Sequence, residues 1–101
     1  FTLRQPPLYP GIQRDLALLV PVAIPASDIE ATIRESAGAL LQDVAPFDLF
    51  TGKGVPAGMR SIAFRLHFRS PERTLTDQEI DEAVARVLRA LEQSHGVTRR
   101  A

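Results

Sequence analysis

No cysteine occurs among the 101 residues, which removes disulfides, thiolate metal sites and cysteine nucleophiles together. A chain without cysteine suits a reducing compartment, and a cytoplasmic location is the expectation here. No apolar run approaches the ~20 residues of a membrane span, and no charged-then-apolar leader precedes a cleavage site. Net charge is lacking as well: 12 basic and 12 acidic side chains cancel, which argues against a protein that coats nucleic acid by bulk electrostatics. Lysine is almost missing, Lys53 being the sole example, so positive charge rests on arginine, whose planar guanidinium stacks on flat partners. What remains is ordinary. Hydrophobic residues at 45% and charged residues at 24% describe a folded globular domain, and the length suits one core and not two. The chain starts at Phe1 and not at methionine, so it is expected to be a domain of a longer protein.

Charge is separated along the chain. Arg60, Arg65, Arg69 and Arg73 crowd one segment with only Glu72 opposing them, while Asp77, Glu79, Asp81, Glu82 and Glu92 gather on the next. Residues 1–13 hold Pro6, Pro7, Pro10 and Gly11 without helical or strand period, and read as an extended lead-in anchored by Leu8 and Tyr9. The domain proper is set at 14–101. Arg14 to Val20 reads as a strand, with Leu16, Leu18 and Val20 on one face and Asp15, Ala17 and Leu19 on the other. Ser27-Asp28-Ile29-Glu30 fits a capping box, followed by Ile29, Ile33 and Ala37 at helical spacing and by Gly38 as a left-handed stop. Leu40 to Phe50 returns to extended structure, and Pro46 places it at a sheet edge, because proline has no N–H to give a ladder.

A connection with Gly52, Gly54, Pro56 and Gly58 leads into Ser61 to Arg69. Strand alternation puts Phe47 and Leu49, then Ile62, Phe64, Leu66 and Phe68, on the core face. Asp48 and Phe50, with Ser61, Ala63, Arg65, His67 and Arg69, then share the solvated face. After the Ser70–Thr76 loop, Thr76-Asp77-Gln78-Glu79 makes a second capping box, and Ile80, Val84, Val87, Leu88 and Leu91 continue at helical spacing to His95 and a cap at Gly96. Val97 to Arg100 supplies a short final strand. The order is strand, helix, strand, strand, helix, strand. It predicts an α+β, ferredoxin-like βαββαβ sandwich: a four-stranded antiparallel sheet with two helices on one face and the other face open.

Several stretches together resemble a known family. Tyr9-Pro10, Arg14-Asp15-Leu16-Ala17, Phe47-Asp48-Leu49-Phe50 with Gly52, Gly58-Met59-Arg60-Ser61-Ile62-Ala63, Arg73-Thr74-Leu75-Thr76-Asp77-Gln78-Glu79 and a terminal arginine are similar, in order and spacing, to the C-terminal anticodon-binding domain of the bacterial phenylalanyl-tRNA synthetase beta subunit. The resemblance runs from Tyr9 to Arg100. It implies a ferredoxin-like fold that contacts the anticodon of phenylalanine tRNA, as a non-catalytic part of an ATP-dependent ligase whose chemistry takes place on the alpha subunit. It implies tRNA-binding roles for Ala17, Asp48, Phe50, Ser61, Arg65 and a terminal arginine, Arg99 or Arg100, with spacing favouring Arg100. Partners would be the anticodon loop, the rest of the beta subunit and the alpha subunit; no membrane is involved. ATP and magnesium would belong to the parent enzyme and no cofactor to this domain. The pattern departs from the family at Phe50, where tyrosine is usual, at Met59 and Arg60, where lysines often stand, and at Arg99, where an apolar residue is common.

The residues alone support an RNA site. An ionised aspartate offers acceptors to the two adjacent donors of a guanine edge, whereas adenine would set an acceptor against it. Phe50 would stack a base, Ser61 would bond beside it, and Arg65 and Arg100 would hold phosphates. Plainer roles stand beside these: Asp48 paired with Arg65 across the sheet, Phe50 closing an apolar patch with Leu19, Arg14 and Asp15 as a structural ion pair, and Ser61 satisfying a turn. His67, and Glu92 with His95, read as solvated or hydrogen-bonded residues and not as metal ligands. Gly52-Lys53-Gly54 lacks the spacing and following helix of a phosphate loop, and no nucleophile, base and acid set is present. Two alternatives share the architecture: a small-molecule-binding regulatory module and a structural interaction domain.

Overall fold

The computed structural model describes residues 9–100. Six elements follow in order: β1 (Ile12–Pro21), α1 (Ala26–Ala37), β2 (Leu41–Phe50), β3 (Met59–Phe68), α2 (Asp77–His95) and β4 (Thr98–Arg99). The strands form one antiparallel sheet in the order β2-β3-β1-β4. This is the expected ferredoxin-like α+β arrangement. β1 takes in Ile12 and Gln13, two residues earlier than the alternation indicated. Leu8 lies outside the described residues, and Tyr9 is half-buried.

One face of the sheet and both helices close a single core. Leu16, Leu18 and Val20 of β1 and Ile62, Phe64, Leu66 and Phe68 of β3 are buried against Ile29 and Ile33 of α1 and Ile80, Val87 and Leu91 of α2. Each such side chain contributes roughly 1.5–3 kcal/mol when fully withdrawn from water. The central strands β1 and β3 pair along ten residues, from Ile12 with Phe68 to Pro21 with Met59.

The two helices start differently. Thr76 caps α2, its hydroxyl accepting from the Glu79 N–H at 3.2 Å, while the Glu79 carboxylate turns away to Arg73 at 2.7 Å instead of closing the box. α1 has no side-chain cap at all, which corrects the box read at Ser27 and Glu30. Pro25, extended at φ −64° and ψ 147°, is its N-cap, and Ser27 stands inside the first turn. Proline fits because the N–H it lacks is one the helix start leaves unbonded. The Pro25 carbonyl accepts from the Asp28 N–H at 3.1 Å.

Their ends differ too. Gly96 is left-handed at φ 66° and ψ 23°, and its N–H donates to the Glu92 carbonyl at 3.0 Å, the single bond of an αL stop. Gly38 has a positive φ of 87° but an extended ψ of −166°, so it is not the left-handed stop expected there. Arg86 of α2 serves the end of α1 instead, donating to the Ala37 carbonyl at 3.1 Å.

β2 lies at the edge, as Pro46 indicated, but not with the expected alternation. Only Val44 of this strand is buried. The pairing with β3 slips between Pro46, opposite Phe64, and Asp48, opposite Ala63. Phe47 is the extra residue of a bulge, which turns it onto the open face. Phe47 is therefore not core and is 48% exposed; Leu49, opposite Ile62, keeps the helix-side face but stands 57% exposed at the sheet edge.

Candidate functional site

Strand pairing lays the open face out in rows. Thr98, Leu19, Ser61 and Phe50 form one; Ala17, Ala63 and Asp48 the next; Asp15, Arg65 and Ala45 a third. The Arg100 N–H donates to the Ala17 carbonyl at 2.7 Å, so Arg100 and Asp48 end the middle row with two alanines between them. The alanines make a low floor. Arg99 pairs with Leu18, a core-facing position, which leaves Arg100 as the terminal arginine of the open face.

On either side of Asp48 an arginine covers an aromatic ring. The Arg100 guanidinium carbon stands 4.1 Å from the centre of the Phe50 ring, and its Nη1 donates to the Ser61 hydroxyl at 3.4 Å. The Arg65 guanidinium carbon stands 4.3 Å from the centre of the Phe47 ring. Both distances are within reach of a cation–π attraction. The two arginines are not held alike. Arg65 donates to both Asp15 oxygens, through Nε at 3.1 Å and Nη2 at 3.2 Å, a two-pronged grip that fixes the guanidinium plane. Those hydrogen bonds raise its pKa further and outweigh a small loss of solvation, so it is a cation at every working pH. Arg100 has the single long bond to Ser61. Gly54, with a positive φ of 87° in the loop after β2, brings backbone close to that guanidinium, 3.5 Å from where a Cβ would stand.

Asp48 is exposed, and its Oδ1 accepts from the Leu49 N–H at 2.9 Å. That bond orients the carboxylate and leaves Oδ2 and a further lone pair outward. Asp48 does not pair with Arg65, since Asp15 holds that residue. Arg14 and Asp15 do not pair with one another either: Arg14 reaches Asp77 at 3.4 Å across the helix face. Ser61 is 3% exposed, so its hydroxyl is reached only beside Arg100. Arg60 is opposite Val20 and points to the helix side, donating to the Ile24 carbonyl at 2.6 Å; it adds no charge to the open face. Along β2, Ala26, Pro46, Phe47, Asp48, Leu49, Arg60 and Ile62 line a cleft of about 410 Å³. Among the described residues no three histidine or acidic side chains converge as metal ligands would, and no helix is long and apolar enough to cross a membrane.

The sequence pattern that defines the ferredoxin-fold anticodon binding domain matches residues 7–100. This chain belongs to that family. Relatives in the family include the phenylalanine–tRNA ligase beta subunits of Synechococcus sp. (strain JA-3-3Ab), 48% identical over 92 residues, Moorella thermoacetica, 44% over 94, and Bacillus subtilis (strain 168), 38% over 89. These stretches take in 91%, 93% and 88% of the chain and 11%, 12% and 11% of the relatives, so the chain spans about a tenth of their length. As an anticodon binding domain, it carries the six residues singled out for RNA, Ala17, Asp48, Phe50, Ser61, Arg65 and Arg100, on one face. Phe47, expected in the core, and Asp15, expected to pair with Arg14, both stand against Arg65 on this face. The signal for Phe47 was present in Pro46, because proline inside a strand marks bulges as well as edges. Asp15 carried no such signal, since its partner is fifty residues away.

Proposed function

We propose that this chain is the anticodon-reading module of a phenylalanine–tRNA ligase beta subunit, taking the anticodon loop of phenylalanine tRNA on the open face of its sheet. The observation that carries this reading is the placement of an exposed, backbone-oriented carboxylate, Asp48, beside an alanine floor and between two arginine-covered rings. A flat unpaired base needs a shallow floor, a stacking partner and an edge reader, and these are the groups present. Asp48 would accept from two adjacent donors of a guanine edge; adenine would leave it facing an acceptor, and an unpaired polar group is the source of discrimination. Arg100 would slide from Phe50 to a phosphate or carry the base on its own outer face. Ser61 would bond the base or sugar once Arg100 moves, Ala17 would admit the nucleotide by being small, and Arg65 would screen the backbone charge. In this reading the module itself takes no cofactor, and ATP, magnesium and the alpha subunit serve the aminoacylation centre elsewhere in a cytoplasmic enzyme.

The test is a low-salt NMR titration of the labelled chain with a phenylalanine anticodon stem-loop and with a control whose first anticodon base is changed. Shifts should cluster on Asp48, Phe50, Ser61 and Arg65 and weaken for the control. Equal shifts with both RNAs would remove base reading, and none with either would remove the RNA function.

A further inference from the structure

A large aromatic side chain turned onto the wet face of a sheet by a bulge needs a reason, because regular alternation would have spared the ladder and sent Phe47 elsewhere. Its surroundings supply one. Phe47 is 48% exposed, carries the Arg65 guanidinium at 4.3 Å, and that guanidinium is fixed by both oxygens of Asp15. The ion pair is itself exposed, so it adds little to stability; what it does is hold a flat cation over a ring. A guanidinium plane held so is a platform for a nucleobase, as an aromatic face is.

We propose that Phe47, Arg65 and Asp15 form a second nucleotide subsite, in which a base next in the strand to the one facing Asp48 stacks on the Arg65–Phe47 pair. The proposal rests on the anticodon-reading function and specifies how many nucleotides the face takes. Phe47 and Phe50 lie three residues apart on one strand, about 7–10 Å at strand rise with one residue taken up by the bulge. That exceeds the ~3.4 Å rise of a stacked strand, so the two bases are splayed, each on its own platform, with Asp48 between them. The platforms differ in kind. The Arg100 guanidinium is held by one long bond and the Phe50 ring; Arg65 is clamped by two bonds before RNA arrives, so ordering costs little at this subsite. Stacking accepts any base, since every base has a flat face. The Phe47 subsite therefore adds affinity without identity, and Asp15 is a positioning residue acting through Arg65.

The experiment places a fluorescent base at each position of the anticodon loop in turn, 2-aminopurine except at the guanine facing Asp48, where thienoguanosine keeps both Watson–Crick donors, and reads its fluorescence on binding to the whole chain. Two neighbouring positions should respond, Phe50→Ala removing one response and Phe47→Ala the other. Phe47→Ala should weaken binding by about 5- to 150-fold, the range of stacking losses on alanine substitution. Phe47→Leu keeps an apolar side chain at the bulge and should behave as alanine does, whereas Phe47→Tyr should behave as the parent. Asp15→Asn should weaken the Phe47-dependent response and spare the other. A single responding position, or both responses intact in Phe47→Leu with affinity within about twofold, would overturn the second subsite while leaving anticodon reading in place. No response and no binding by the parent chain would overturn both.

Discussion

Asp48 keeps acceptor capacity on the open face because its partner is the adjoining Leu49 N–H. A carboxylate paired with Arg65 would have been neutralised and turned inward; Asp15 takes that arginine through two bonds, and the Leu49 N–H only orients Asp48. Its remaining acceptor capacity faces outward. Asp48→Ala should leave overall RNA affinity partly intact and compress the preference for guanine over adenine at the facing base by ~1–3 kcal/mol, the worth of a paired base contact. The measurement is the ratio of dissociation constants for two stem-loops differing at that base. An unchanged ratio would show that Asp48 is not the reader. Phe50 keeps a flat face and a guanidinium cover at 4.1 Å, neither of which needs a phenolic hydroxyl.

At the scale of elements, the caps separate what sequence pattern reveals from what it does not. Thr76 and Ser27 both begin a four-residue pattern ending in glutamate, yet only Thr76 accepts a helix N–H. Pro25, two residues before Ser27, preempts the cap position, since its fixed φ and missing N–H suit the last residue before the helix. Thr76→Ala should cost ~1 kcal/mol of stability, and Ser27→Ala should stay within about 0.5 kcal/mol of the parent; urea denaturation of both variants checks the contrast. The strands teach a related lesson. β1 and β3 were legible because each alternates without interruption against the core. In β2 the inward Val44 and the outward Asp48 are four residues apart, an even count that regular alternation would put on one face. The bulge at Phe47 makes up the difference, so Asp48 and Phe50 face outward as expected, but for a reason the alternation of Phe47 and Leu49 did not contain. The β1 to β3 clamp of Arg65 by Asp15 was illegible for a different cause: side-chain partners across a sheet depend on register, and register is a property of the folded chain.

Across the whole molecule, charge is spent internally. Arg14, Arg34 and Arg73 face carboxylates, Arg60 and Arg86 serve backbone carbonyls, and the open face presents Arg65 and Arg100 beside its own Asp15 and Asp48. A neutral protein that takes RNA through Arg65 and Arg100, Arg69 being turned to Gln42, should show a shallow salt dependence. The slope of log affinity against log salt should lie near −1.4 for two phosphate contacts to a single strand, at about −0.7 each. A slope several times steeper, measured across a salt series with the stem-loop, would mean that charge outside this face takes part.

The shortness of β4 has a consequence for how this molecule would fail. Two residue pairs and the Arg100 amide hold the last strand to β1, whereas ten pairs hold β1 to β3. Free energies of local opening scale with such contacts, and a strand held by so few opens before the rest. When it opens, Arg100 leaves Phe50 and Ser61 while the core, α2 and the Asp15 clamp stay in place. On warming, the half of the face that depends on Arg100 would be lost at temperatures where the fold is still intact, and the half built on Phe47 would outlast it.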